Sequence, residues 1–218
     1  MMKKKNAFSL VEMLVVIAII ALISGIAVFS LSNKKRIVLR NDAEKIFNFL
    51  KNVQAQATKV SPVIIGNPNN QNIQINLPVN LPDGNRPSNG FFEMRTYRMA
   101  LVNINNNPVN NPTLQRLPNL TFNEIDRNIN VGIDVRDNQF NSFFSPTEPN
   151  SYPISMVCVF LVRNQIYYVG FRTNGAIAVA RNNRVMNIRV SMPGLNRRHR
   201  IEMPNNSIRF EIYSEQNN

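Results

Sequence analysis

Glu12 is the first acidic residue of the chain and the only one before Asp42, and it stands near the start of a long apolar run. A carboxylate in hydrocarbon is costly unless a partner is supplied, so the chemistry it asks for is ionic pairing. The rival reading is a side chain close enough to the interface to snorkel into water. A second group with chemical potential is the basic stretch between Glu148 and Glu202, which holds eight arginines and no acid. Its densest part is Asn196 to Arg200, with Arg197, Arg198 and Arg200 as the candidate anion-binding set. Clustered arginines grip phosphate without regard to sequence, but charge runs more often form a solvated face or dock an acidic partner. No aromatic side chain is placed among residues 197–200 to stack on a base.

Catalytic chemistry finds little to work with. Asp134 with Asp137, and Glu124 with Asp126, are acid pairs, yet they fall near predicted strand ends and turns without an accompanying motif, and read as solvated loop acids. His199 is the single histidine, which argues against a histidine metal site or a nucleophilic triad, and it reads as a solvated residue within the arginine cluster. Cys158 is the single cysteine, so no disulfide closes within the chain. The eight glycines are scattered and make no phosphate loop. The expectation is a protein without an active site, cofactor, metal or small-molecule substrate.

The elements that must position these residues follow from periodicity. From Met13 to Leu31 there is neither charge nor proline, and about nineteen residues at 1.5 Å each match the hydrocarbon thickness of a bilayer. A secretory signal is the rival, since Lys3, Lys4 and Lys5 form a basic leader, but the run is about twice an ordinary signal core and no small-x-small cleavage site closes it before Ser32. Lys34, Lys35 and Arg36 follow the span, so charge alone leaves its orientation open. Beyond them Leu39, Ala43, Ile46, Phe47, Leu50, Val53, Ala57 and Val60 recur at steps of three and four, which predicts an amphipathic helix continuous with the span, ended by Ser61-Pro62. Gly25 is the expected point of bending. Past Pro62 the texture becomes that of strands: "PVIIG", "NIQINL", "FFEMRTYRMALV", "NINVGIDV", "SMVCVFLV", "QIYYVGF", "AIAVA", "VMNIRVS" and "SIRFEIY". Arg163-Asn164 and Thr173-Asn174-Gly175 are expected hairpin turns. Two Asn- and Pro-rich tracts, 67–89 and 103–119, read as long exposed loops, and "NRRHR" is expected in a hairpin loop after Pro193-Gly194.

"KKKNA" followed by "FSLVEMLVVIAIIALISGIAV" resembles the N-terminal signal of type IV pilins and type II secretion pseudopilins: a basic leader, a cut before phenylalanine, and glutamate at the fifth position of an apolar helix. The resemblance implies cleavage by prepilin peptidase between Ala7 and Phe8 and N-methylation of Phe8. It also implies that Glu12 meets the N-terminal amine of a neighbouring subunit. Glycine usually precedes the cut, so Ala7 implies slower processing. The same resemblance implies an α+β, pilin-like fold with one long N-terminal helix packed on a C-terminal antiparallel β head. Its divisions are a leader at 1–7, a transmembrane half-helix at 8–31, an amphipathic half at 32–60 and a head at 61–218. A chain of that kind sits in the cytoplasmic membrane with its N-terminus inside and its head in the periplasm or outside, among other pilin subunits and lipid.

Over more of the chain, "NVQAQATKVSPVIIG", "YYVGFRTNGAIAVA" and the closing "RVMNIRVSMPGLNRRHRIEMPNNSIRFEIY" resemble the GspH/FimT type of minor pseudopilin. "FFEMRTYRMALV" before "LQRLP" is similar to pilin-like proteins of verrucomicrobial gene cassettes. FimT-like members are implicated in DNA uptake, which makes DNA an alternative partner for Arg197, Arg198 and Arg200. A signal-anchored surface protein unrelated to pili is the further alternative.

Overall fold

The structure is a computed structural model, and it describes residues 9–60, 63–65, 75–76, 81–102, 109–110, 113–134, 143–144, 154–179 and 185–216. One α-helix, α1 (Leu10–Ala57), opens the chain, and antiparallel β-sheets follow it, an α+β pilin-like arrangement. By contact the chain divides into two compact units, Met1–Val38 and Leu39–Asn218.

In the first unit the helix starts on a local device. Ser9 stands before the first helical residue, and its Oγ accepts the Val11 N–H at 3.3 Å, while Glu12 three positions on accepts the Ser9 N–H at 2.8 Å. This reciprocal pair satisfies two of the N–H groups a helix start leaves open. The helix runs unbroken through Gly25, where an added Cβ would meet open space.

In the second unit the periodic residues sit where the spacing puts them. Leu39, Ala43, Ile46, Leu50, Val53 and Ala57 are all buried. Phe47 is half-buried and meets Phe210 edge-on, with centroids 5.2 Å apart. The helix ends at Ala57, a turn earlier than Ser61-Pro62, and Thr58 Oγ1 donates to the Ala55 carbonyl there.

Among the described residues the strands that follow are β1 (Val63–Ile65), β2 (Ile75–Asn76), β3 (Phe92–Val102), β4 (Val109–Asn110), β5 (Thr113–Phe122), β6 (Asn130–Asp134), β7 (Phe143–Phe144), β8 (Ile154–Val162), β9 (Gln165–Arg172), β10 (Ile177–Ala178), β11 (Val185–Ser191), β12 (Arg197–Pro204) and β13 (Glu211–Gln216). The largest sheet is ordered β1-β3-β8-β9-β10, with β5 also on β3; β1 pairs parallel and the others antiparallel. Its middle strand β8 is buried at every residue, as its nearly continuous apolar run requires. A second sheet is ordered β13-β12-β11-β6, and a small third one β4-β2-β7.

The helix is pinned to both larger sheets. Gln54 Nε2 donates to the carbonyls of Gly175, beside β10, and of Ile208, between β12 and β13. Ser155 Oγ on β8 donates to the Ala57 carbonyl at 2.8 Å, satisfying one of the carbonyls a helix C-terminus leaves open. Asp42, buried, accepts the Asp126 N–H at 2.8 Å and pairs with Lys45.

Both hairpin turns stand as expected: Arg163 takes φ 55 between β8 and β9, and Gly175 takes φ 82 between β9 and β10. The Asn/Pro tracts are corrected in part. Residues 113–119 are strand, not loop, because "TLQRLPNLTF" borrows a ladder from β3; Pro118 cannot donate, and the β3–β5 register slips between Arg95 and Tyr97 as the ladder passes it. At the end of the first tract Leu81 and Pro87 are buried. The loop 81–91 is held by Arg95, which donates to the carbonyls of Asp83, Gly84 and Arg86 and pairs with Glu93, both side chains being almost fully buried. The "NRRHR" loop is a correction too. Residues 197–200 open strand β12, so the turn is only Met192 to Asn196.

Candidate functional site

Two places carry the residues singled out by chemistry, the apolar start of α1 and the second sheet. Ala7 and Phe8, the expected cleavage and methylation positions, lie outside the described residues. Glu12 lies within them, on the first turn of α1, bonded to the Ser9 N–H. Its charge therefore already has a donor and the positive end of a helix dipole from its own chain. The sequence reading missed that partner, although Ser-x-x-Glu ahead of an apolar run is the signature of a capping box. Around and after Glu12 the side chains open outward: Leu10 is 78% and Ile26 70% exposed, and every residue from Ser9 to Ile26 is exposed. This part of α1 is long and apolar enough to cross a membrane.

Residues 2–28 match the family model described as the prokaryotic N-terminal methylation motif. The chain carries a prepilin-type N-terminus. That motif supports the type IV pilin and pseudopilin family, and with the apolar helix it fits a membrane-anchored pilin that prepilin peptidase processes and that assembles with other subunits. No curated protein and no solved structure matches the chain.

The arginines of this chain are brought together by the second sheet, but not with each other alone. Cross-strand register puts Arg189, Arg198 and Arg200 on one face with Asp134, Glu202, Glu211 and Glu215. Each arginine finds a carboxylate: Arg189 on Asp134 at 2.5 Å, Arg198 on Glu215 at 3.0 Å, Arg200 on Glu202 at 2.8 Å and on Glu215 at 2.5 Å. Arg200 also lies over the Tyr213 ring, 5.2 Å from its centroid. The acid-free run is acid-free only along the chain, since Asp134 comes from β6 and Glu215 from β13. Three arginines facing four carboxylates do not make a positive face, and counterion release needs unpaired cations. The Arg198 and Arg200 pairs hold the Glu215 carboxyl below its usual range, against a burial penalty that would raise it.

Arg197 stands on the opposite face, paired in register with Gln216, and is exposed. His199 shares that face with the buried Val190. It is half-buried, not solvated, because strand alternation turns it inward beneath α1. Burial pushes its imidazole below its usual pKa, and the charge of Arg40 on α1 adds to this, while Glu44 opposes. Cys158 is fully buried on β8, and burial pushes its thiol far up, which removes it as a nucleophile. Of the paired acids, Asp134 is bound to Arg189, and Asp126 caps its own turn by accepting the Asn128 N–H. Asp137 lies outside the described residues. Among the described residues no group of three metal-ligating side chains gathers.

Proposed function

We propose that the chain is a minor pseudopilin, a structural subunit of a type II secretion pseudopilus or a type IV pilus, and not an enzyme. The supporting observation is the methylation motif over residues 2–28 on a helix whose first half is exposed and largely apolar and carries one acidic residue, Glu12. Prepilin peptidase cuts between Ala7 and Phe8, and Phe8 is methylated. The new amine lies four residues from Glu12, about one helical turn. It supplies the positive charge that the Ser9 N–H only approximates, so Glu12 has a full ionic partner either in its own chain or in the next subunit. A carboxylate shared between subunits sets axial register, as buried polar groups do in other helical assemblies. The N-terminus begins in the cytoplasm, the span lies in the inner membrane, and the head works beyond it. The strands closing the chain suit the GspH/FimT type, although the Asn-rich middle does not match it closely.

DNA uptake draws less support, because Arg198 and Arg200 are engaged by Glu215 and Glu202 and only Arg197 of the trio stands apart. A salt-titrated binding assay on the full chain in detergent, with Arg197, Arg198 and Arg200 changed to Ala, decides that reading: no salt-dependent DNA binding removes it.

N-terminal mass spectrometry of the protein from its host tests the main reading. The expected terminus is Phe8 carrying one methyl group. An intact leader, or loss of the whole apolar run, overturns it and favours a signal-anchored or secreted surface protein. Glu12→Gln is expected to leave the protein cleaved and in the membrane yet absent from sheared filaments; normal incorporation would refute the register role.

A further inference from the structure

Lys34, Lys35 and Arg36 differ from Arg40 and Lys45, cations that follow them on α1. Arg40 pairs with Glu44 at 2.7 Å and Lys45 with Asp42 at 2.7 Å, but residues 34–36 are exposed and none of the ion pairs among the described residues involves them. The helix gives them no local acid either. The positions three and four away hold Ser30, Leu31, Ser32, Asn33, Ile37, Val38, Leu39 and Arg40, so no intrahelical pair can form.

Their placement says what kind of anion fits. Residues 10–31 rise roughly 33 Å, a hydrocarbon thickness, so residues 34–36 fall at the depth of the phospholipid headgroups. Successive helical residues turn by about 100°, so three consecutive cations point three ways around the axis. A protein partner meets a helix from one side, whereas a headgroup layer surrounds it. The long aliphatic stems of Lys and Arg reach the phosphates while staying on apolar surface.

We propose that residues 34–36 form a collar that binds anionic phospholipid headgroups on the head side of the bilayer, an inference that rests on reading residues 10–31 as a membrane span. Leader removal gives the collar its weight. Cleavage after Ala7 takes away Lys3, Lys4 and Lys5, leaving this collar as the charged anchor next to the apolar run. The mature subunit is then held from the head side, and extraction into a filament must break those phosphate contacts.

The full chain is reconstituted into nanodiscs of phosphatidylcholine mixed with phosphatidylglycerol, and the lipid it retains on release is weighed by native mass spectrometry. Wild type is expected to retain phosphatidylglycerol over phosphatidylcholine. K34Q/K35Q/R36Q is expected to lose that preference by about tenfold or more, and K3Q/K4Q/K5Q to keep it. Equal retention of both lipids by wild type, or a preference untouched by K34Q/K35Q/R36Q, overturns the collar. Alkaline carbonate extraction of the same nanodisc lipids as vesicles separates the two levels. A chain released by carbonate refutes the span and the collar together, whereas a chain that stays but shows no lipid preference refutes the collar alone.

Discussion

The two halves of α1 are one helix in two environments. From Leu10 to Ile26 the apolar side chains stand exposed, whereas beyond Val38 Leu39, Ala43, Ile46, Leu50, Val53 and Ala57 are buried. The first half is apolar all round and the second only along a stripe, and that difference decides what each can do. An all-apolar helix has no water-compatible side and must find lipid or other helices, while a striped one finishes a head of its own chain. The polar contacts follow the same division. Among the described residues Glu12 is bonded by Ser9, three positions away, but Asp42 and Gln54 reach Asp126, Gly175 and Ile208, far along the chain.

Substitutions can break that contrast. Leu50→Ala empties a fully buried site and is expected to cost the head about 2–5 kcal/mol in chemical denaturation followed by near-ultraviolet dichroism; Ile20→Ala should leave that transition in place. An equal loss from both would mean that the span contributes to the head's core. Asp42→Ala removes the acceptor of the Asp126 N–H and is expected to cost about 1–3 kcal/mol by the same measurement, with faster hydrogen exchange at Asp126. If exchange at Asp126 stays slow, the loop is held by something other than the helix.

Acid should loosen the contact between α1 and the second sheet. Half-buried His199 has a folded pKa below its ordinary 6.5, so the unfolded chain binds its proton first. Stability tied to His199 is therefore complete above that value and falls as pH drops through 6.5 toward the folded pKa. His199→Gln should flatten that part of a pH–stability curve, and an unchanged slope would assign it to other groups. Glu93 acts lower. Burial raises its pKa, but the hydrogen bonds from Arg95 and Ser88 win and hold the carboxyl below its usual range, so its contribution is lost only in stronger acid. The smallest effect belongs to Glu12→Gln, which is expected to leave the head's melting transition where it is, since no residue of the head bonds to Glu12 among the described residues. A measurable drop would show that the first turn of the helix matters to the head after all.

Much of this was legible beforehand, for local reasons. The six buried helix positions, the tight turns at Arg163 and Gly175 and the central strand β8 are set by periodicities and backbone preferences within a few residues. What escaped was set by pairing at a distance. Strand β5 carries a proline and an Asn, poor strand formers, and is a strand because β3 offers it a ladder. Strand β12 begins with Arg-Arg-His-Arg, which reads as a loop until β11 and β13 flank it. The Ser9–Glu12 pair lies within reach of the sequence, since the Ser-x-x-Glu pattern that forms it is four residues wide.

By itself the sequence determined that a helix of this length would form, that its first half would be apolar on every side, and that one carboxylate would sit at its start. Those properties depend on composition and on spacing of three or four residues. Only the tertiary structure decided what becomes of the positive charge. It brings Asp134 and Glu215 across two strand pairings onto Arg189, Arg198 and Arg200, and it leaves Lys34, Lys35 and Arg36 outside every ion pair of the described residues. Electrostatic energy falls off over a few ångströms in space and takes no account of separation along the chain.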